Sequence, residues 1–246
     1  MVIALLADIH SNLEALDACL AHARQNGAAR YAFLGDLVGY GADPLAVIDT
    51  VARYAAEGGI VVKGNHDAAV EKRAGYMNDA TSEAIEWTRA ALPDDRKAFL
   101  AQLPLCLRDG AMCFVHASAA SPERWEYVDS PAAAQKSVAA AQVAYTFSGH
   151  VHDQMLYFQS SGGKMSAFRP LQGSPVSVRG HRSWLALVGS VGQPRDRNPA
   201  AAYALFDSAR QQITFHRVAY DHLAAARKIR DAGLPGSIAY RVEMGI

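Results

Sequence analysis

The run Val2-Ile3-Ala4-Leu5-Leu6-Ala7-Asp8-Ile9-His10 is apolar for six residues and then stops at two side chains that can hold a metal. An unbroken apolar run of this length reads as a strand buried on both faces, the pattern of parallel strands covered by helices. Immediately after it, Ser11 and Glu14 are spaced as a capping box. Leu13, Leu16, Leu20 and Ala23 then form a helical stripe that ends near Gly27. A second strand is expected over residues 31–34. Asp43 as N-cap and Pro44 at the first position open a second helix over 44–57, closed by Gly58 and Gly59 before a strand at 60–62. Strands alternating with helices in this way imply a parallel sheet with helical crossovers.

Further along, the pattern changes. Helices are expected over 82–92 and 94–103, a cap or flank spanning about 76–103. From Leu105 the reading turns to hairpins, with 105–107 and 112–115 around Asp109-Gly110, and 155–159 and 164–168 around Ser160-Ser161-Gly162-Gly163. An alanine-rich helix over 132–142 lies between them. Strands follow at 184–188, 202–206 and 213–218, and an Asp221-capped helix over 222–232 closes the chain at Gly233 and Pro235. A βα half followed by an antiparallel half predicts one α/β (α+β) domain over residues 1–246, a four-layer αββα sandwich of two mixed sheets flanked by helices.

Composition excludes several function classes. Twenty-four basic residues balance twenty-four acidic ones, which argues against general nucleic-acid binding or an anionic membrane surface as partner. No apolar run approaches the roughly 20 residues of a membrane span. Met1 leads straight into the first strand without a basic n-region or cleavage site, so the expectation is a cytoplasmic protein. Cys19, Cys106 and Cys113 are too widely spaced and too apolar in context for a zinc cluster, and read as reduced thiols.

Five segments carry the chemistry: Asp8-Ile9-His10, Gly35-Asp36, Gly64-Asn65-His66-Asp67, His116 and Gly149-His150-Val151-His152. Each follows a short apolar run, and strand ends are where α/β folds gather ligands. Alternation in an extended segment puts His150 and His152 on one side. Five of the nine histidines fall in these segments, whereas His22, His181, His216 and His222 read as solvated or locally satisfied.

In this order the motifs resemble those of the calcineurin-like metallophosphoesterases. Gly189-Ser190-Val191-Gly192-Gln193-Pro194-Arg195 further resembles a segment of small bacterial members, a subgroup with uncharacterised phosphodiesterases and enzymes that hydrolyse diadenosine polyphosphates. The resemblance implies two divalent transition-metal ions bridged by Asp36. Asp8, His10 and His152 would complete one shell, and Asn65, His116 and His150 the other. Donors without thiolate suit Mn, Fe, Zn, Co or Ni, with Mn favoured. Two such ions roughly 3.5–4 Å apart can hold a bridging hydroxide for in-line attack on phosphorus.

By the same resemblance His66 stands beside the metals as general acid for the leaving group, Asp67 is a catalytic neighbour able to accept a hydrogen bond from its ring, and Asn65 serves substrate as well as metal. Arg195 is a candidate phosphate grip. The protein-phosphatase branch and the symmetrical diadenosine tetraphosphatases commonly read Gly-Asp-X-Val-Asp-Arg-Gly at the second motif, but here it is Gly35-Asp36-Leu37-Val38-Gly39-Tyr40-Gly41. Tyr40 therefore stands in place of an arginine as a candidate substrate contact. The expected activity is hydrolysis of a small phosphodiester or dinucleoside polyphosphate, with a small phosphorylated substrate, nucleotides included, as partner. The alternatives are a phosphomonoesterase or protein phosphatase, and a non-catalytic scaffold of the same fold.

Overall fold

The structure, a computed structural model, describes residues 1–71 and 79–246. Twelve strands and eight α-helices are seen among the described residues. The opening run forms β1 (Val2–Leu6), followed by α1 (Leu13–Gln25), β2 (Arg30–Phe33), α2 (Pro44–Ala56), β3 (Ile60–Val61) and α3 (Asn65–Glu71). The flank is α4 (Asp79–Ala91) and α5 (Asp94–Gln102), packed beside α3, and residues 76–78 of the expected flank lie outside the described ones. The second half comprises β4 (Cys106–Asp109), β5 (Met112–Val115), α6 (Pro131–Ala141), β6 (Tyr145–Ser148), β7 (Gln154–Gln159), β8 (Met165–Phe168), β9 (Val176–Ser177), β10 (Trp184–Val188), β11 (Ala201–Asp207), β12 (Gln212–Val218), α7 (His222–Asp231) and α8 (Gly236–Met244).

Two six-stranded mixed sheets result. The first runs β3-β2-β1-β11-β12-β9, with β1, β2 and β3 parallel and the rest antiparallel. The second runs β4-β5-β6-β10-β7-β8, with β5, β6 and β10 parallel. Strand β1 shows why its apolar run has no polar face. Ile3, Leu5 and Ala7 point into the core between the sheets with Phe114, Phe147 and Phe206, while Ala4 and Leu6 meet Leu16 and Leu20 of α1 and Val47 and Val51 of α2. On the far side Leu185 and Leu187 of β10 pack under Ala134 and Val138 of α6. The order is helix, sheet, sheet, helix, as expected. Phe206, fully buried, joins the sheets through the rings of Tyr145 (4.8 Å) and Phe147 (5.1 Å). Phe206→Ala should cost about 3–5 kcal/mol, read as a lowered urea midpoint.

Several local expectations are corrected. The cap of α1 is Asn12, whose side chain accepts from the Ala15 N–H, and Ser11 stands one residue before it in left-handed backbone. Asp43 precedes α2 without capping it, because its carboxylate is taken by Lys228 at 2.9 Å. Asp109 belongs to β4 and pairs with Met112, so the hairpin turn is Gly110-Ala111, with Gly110 at φ +56°. The chain does not close at Gly233 and Pro235. Pro235 precedes a further helix, α8, whose Ile238, Ala239 and Val242 pack on α7 and on Tyr40. The two-residue strand β9 was too short to leave a pattern.

Candidate metal centre

All five motif segments end on one side of the two sheets. Asp8 and His10 follow β1, Asp36 follows β2, Asn65 and His66 begin α3, His116 follows β5, and His150 and His152 follow β6. Close approach explains the glycines among them. A Cβ on Gly64 would strike the Asp36 carboxylate, one on Gly149 the Asp8 carboxylate, and one on Gly39 the Nδ1 of His66. The backbone is held in rarely visited conformations there. Asp8, His10, Asp36, His150 and His152 all have φ between +49° and +68°, although none is glycine. Such strain persists only where surrounding contacts impose it, and it gathers at functional sites.

The side chains converge on two donor sets. Asp8, His10 and His152 form one, and Asp36, His116 and His150 the other, each with its ligand atoms within 4.8 Å of one another. Asp36 joins the sets, since its Oδ2 lies 3.8 Å from His10 Nε2 and 3.4 Å from His116 Nε2. Asn65 presents Oδ1 to His116 Nε2 at 3.1 Å. His66 Nε2 stands 3.9 Å from Asp36 Oδ2, and His10, Asp36 and His66 make a third close group.

Hydrogen bonds at the outer ring nitrogens determine what the inner ones offer. His10 Nδ1 donates to the Val38 carbonyl (3.3 Å), His116 Nδ1 to that of Leu34 (2.8 Å) and His152 Nδ1 to that of Gln193 (2.5 Å). A carbonyl only accepts, so each Nδ1 carries the proton and a neutral ring turns a lone pair inward from Nε2. Burial first, then neighbouring His66 for His10 and Arg195 for His152, hold both rings well below the usual imidazole range, so they are neutral. Their Nε2 atoms face each other at 3.2 Å. Two lone pairs at that distance call for a cation between them, and the donor set of carboxylate, amide and imidazole fits a divalent transition metal.

Burial and neighbouring charges shift the remaining groups. Burial, opposed by His116 and reinforced by Asp36, pushes Asp8 up to about 7. Burial lowers His150 to about 3, with His116 adding to the effect. At His116 burial is outweighed by Asp36, which raises the ring, while Asp36 itself is held well below the carboxylate range by His116 and His66 against the effect of burial.

Two expected roles change. Asp67 does not accept from the His66 ring. Its carboxylate takes the amide N–H groups of Leu37 (2.9 Å), Val38 (3.3 Å) and Gly64 (2.9 Å), tying the loop after β2 to the start of α3. Tyr40 is not laid open for substrate. It is 7% exposed, its ring rests on His10 (4.6 Å) and His66 (4.5 Å), and its hydroxyl meets Thr81 on α4. Tyr40 thus positions two histidines. Arg195 is half-buried, hydrogen-bonds Gln193 Oε1 at 3.3 Å, and its charge is felt at Asp8, His10, His66 and His152.

Gly39, at φ +88° beneath His66, gives a direct test of this packing. Gly39→Ala should cost about 1–2 kcal/mol, a few degrees in Tm, and displace His66 while bound metal, read by elemental analysis, stays level.

Two residues at the site were not singled out from sequence. Trp125 meets the ring of His116 edge-on at 5.9 Å, and Tyr127 stacks on His150 at 4.2 Å. The signal available was a pair of aromatics two apart in an otherwise polar loop. His22 bonds the Tyr203 hydroxyl (2.6 Å) and meets the His216 ring edge-on at 5.0 Å, while His181 is exposed, all away from the centre.

The family model for the calcineurin-like phosphoesterase superfamily domain matches residues 1–211. The uncharacterised protein MJ0912 of Methanocaldococcus jannaschii is 32% identical over 250 aligned positions, which cover 99% of this chain and 98% of that one. The crystal structure of a metallophosphoesterase from Sphaerobacter thermophilus superposes with a TM-score of 0.89 at 33% identity, covering 100% of this chain and 99% of that chain. The hypothetical protein PH1004 of Pyrococcus horikoshii shares the fold at a TM-score of 0.80 and 20% identity, covering 100% and 98%.

Proposed function

This chain belongs to the calcineurin-like phosphoesterase superfamily, and we propose that it is a two-metal, phosphodiesterase-like hydrolase acting on a small phosphodiester or a dinucleoside polyphosphate. The observation that carries this reading is the pair of donor sets joined at Asp36, with the inner nitrogens of His10 and His152 left bare by carbonyls behind them. Asp8, His10 and His152 would hold one ion, Asn65, His116 and His150 the other, and Asp36 would serve both. Bound there, two divalent ions supply Lewis-acid charge for the phosphoryl oxygens and lower the pKa of water. Mn is the first ion to supply, with Fe, Zn, Co and Ni as comparisons.

The protein's own groups orient and protonate. Arg195 would grip a phosphoryl oxygen from the side of His152. His66 would give a proton to the departing oxygen, the step that decides turnover when the leaving group is poor. The buried Tyr40, standing where the protein-phosphatase branch has an arginine, supports the diester over a phosphoprotein. Three free thiols suit a reducing compartment, and no helix among the described residues is long and apolar enough to cross a membrane, so we place the protein in the cytoplasm.

The test is a substrate panel with each metal in turn: bis(p-nitrophenyl) phosphate, p-nitrophenyl phosphate and diadenosine tetraphosphate. Hydrolysis of the diester or of diadenosine tetraphosphate that requires added metal and stops with chelator is expected, and chelation should also lower Tm, because an ion bound only by the folded state stabilises it. Hydrolysis of the monoester alone would overturn the diester preference. No turnover of any substrate, together with no bound metal, would overturn the enzyme reading.

A further inference from the structure

Tyr127 is 53% exposed although its ring lies flat on that of His150, centroids 4.2 Å apart and planes 22° apart. Among the exposed large hydrophobic side chains of the described residues, it is the one that stacks on a histidine of the metal centre. The loop that presents it is tied down. Trp125 meets the His116 ring at 5.9 Å, and its own φ of +55° sets the turn that brings Tyr127 over. The His150 ring covers one face of the tyrosine, and the other is left to solvent at the rim of the centre.

We infer that Tyr127, braced by Trp125, is the stacking platform for the base of a nucleotide-type phosphodiester whose phosphate sits at the metal centre. The inference rests on the phosphodiesterase reading above. The exposed face lies one imidazole away from where the phosphate would bind, and in a nucleotide the base is separated from its phosphate by a single ribose. A fixed aromatic face suits such a group, since every base has a π-face and stacking needs no sequence-specific hydrogen bond. Arg195, next to His152, stands with the other donor set, so a substrate would run from guanidinium to tyrosine across the two sets.

The experiment measures calorimetric binding of adenosine 5′-monophosphate and ribose 5-phosphate, which differ by the base, to the Mn-loaded protein. Wild type should bind the nucleotide at least about tenfold more tightly. Tyr127→Ala should lose that advantage while its affinity for ribose 5-phosphate and its metal content stay level, and Tyr127→Phe should keep it. Equal affinity of wild type for both ligands, or binding of neither, would overturn the platform even if the substrate panel shows metal-dependent diester hydrolysis. An equal loss of both ligands in Tyr127→Ala would overturn it too, because the tyrosine would then act only by holding His150. If the panel instead shows no diester hydrolysis while the base still confers tighter binding, the phosphodiesterase reading fails and the platform stands as a nucleotide-binding feature.

Discussion

Asp36→Asn is expected to lower phosphodiester turnover by at least about 1,000-fold and to leave the protein short of its metal complement. Loss of an outer-shell partner of a metal ligand costs about 10–100-fold, so loss of a ligand shared by two ions must cost more. The substitution is informative because it changes so little else. Asparagine has the shape of aspartate and can still accept the His66 amide N–H that Asp36 Oδ1 takes at 2.8 Å. At the other position, where Oδ2 faces His10 and His116, it would then present an N–H group. An N–H there would donate into the imidazole lone pairs and compete directly with a cation. A buried charge pair with His116 is lost as well, which costs about 3–5 kcal/mol when one partner is removed. Metal content by elemental analysis and Tm of the metal-free variant therefore have to be read together. A folded variant with a full metal complement and normal turnover would remove Asp36 from the bridging position.

How far the sequence carried this result depends on the kind of signal. The apolar run at residues 2–7 was legible because burial on both faces of a parallel strand leaves no polar alternation, whereas β6, which delivers His150 and His152, alternates Thr146 and Ser148 with its aromatics and is not among the expected strands. Asp8, His10, Asp36, Asn65, His116, His150 and His152 stood out because glycines and acidic or imidazole side chains rarely end five apolar runs by chance. The structure brings them together, but sequence held no trace of what orients them. The carbonyls of Leu34, Val38 and Gln193 that fix the imidazole tautomers are backbone atoms, available from any residue type. Asp67 and Tyr40 were read from adjacency and from alignment to a motif, and both have been claimed by packing. The loop geometry needs Asp67's carboxylate for three amides, and Tyr40 is sealed by α8, a helix that Gly233 and Pro235 concealed. Trp125 and Tyr127 lay in a polar loop whose path no periodicity describes.

His66→Ala should separate a proton donor from a metal ligand. A general acid matters in proportion to the basicity of the leaving group, so turnover of an alkyl phosphodiester should fall about 10²–10⁴-fold. A p-nitrophenyl ester, whose leaving group departs without help, should lose far less, and metal content should not change. If His66 instead completed the close group with His10 and Asp36, both substrates would fall together and metal would be lost. The surroundings of the ring favour the donor. Among the other histidines of the centre, His10, His116 and His152 each hydrogen-bond a backbone carbonyl, of Val38, Leu34 and Gln193, which holds ring and tautomer as a ligand requires, and the His150 ring is held between His116 and Tyr127. His66 Nδ1 is buried with no hydrogen-bond partner among the described residues, and the ring is located by packing against His10 and Tyr40. A group that must gain and release a proton in every turnover cannot have its tautomer locked by a carbonyl, and the His66 ring is free of that lock.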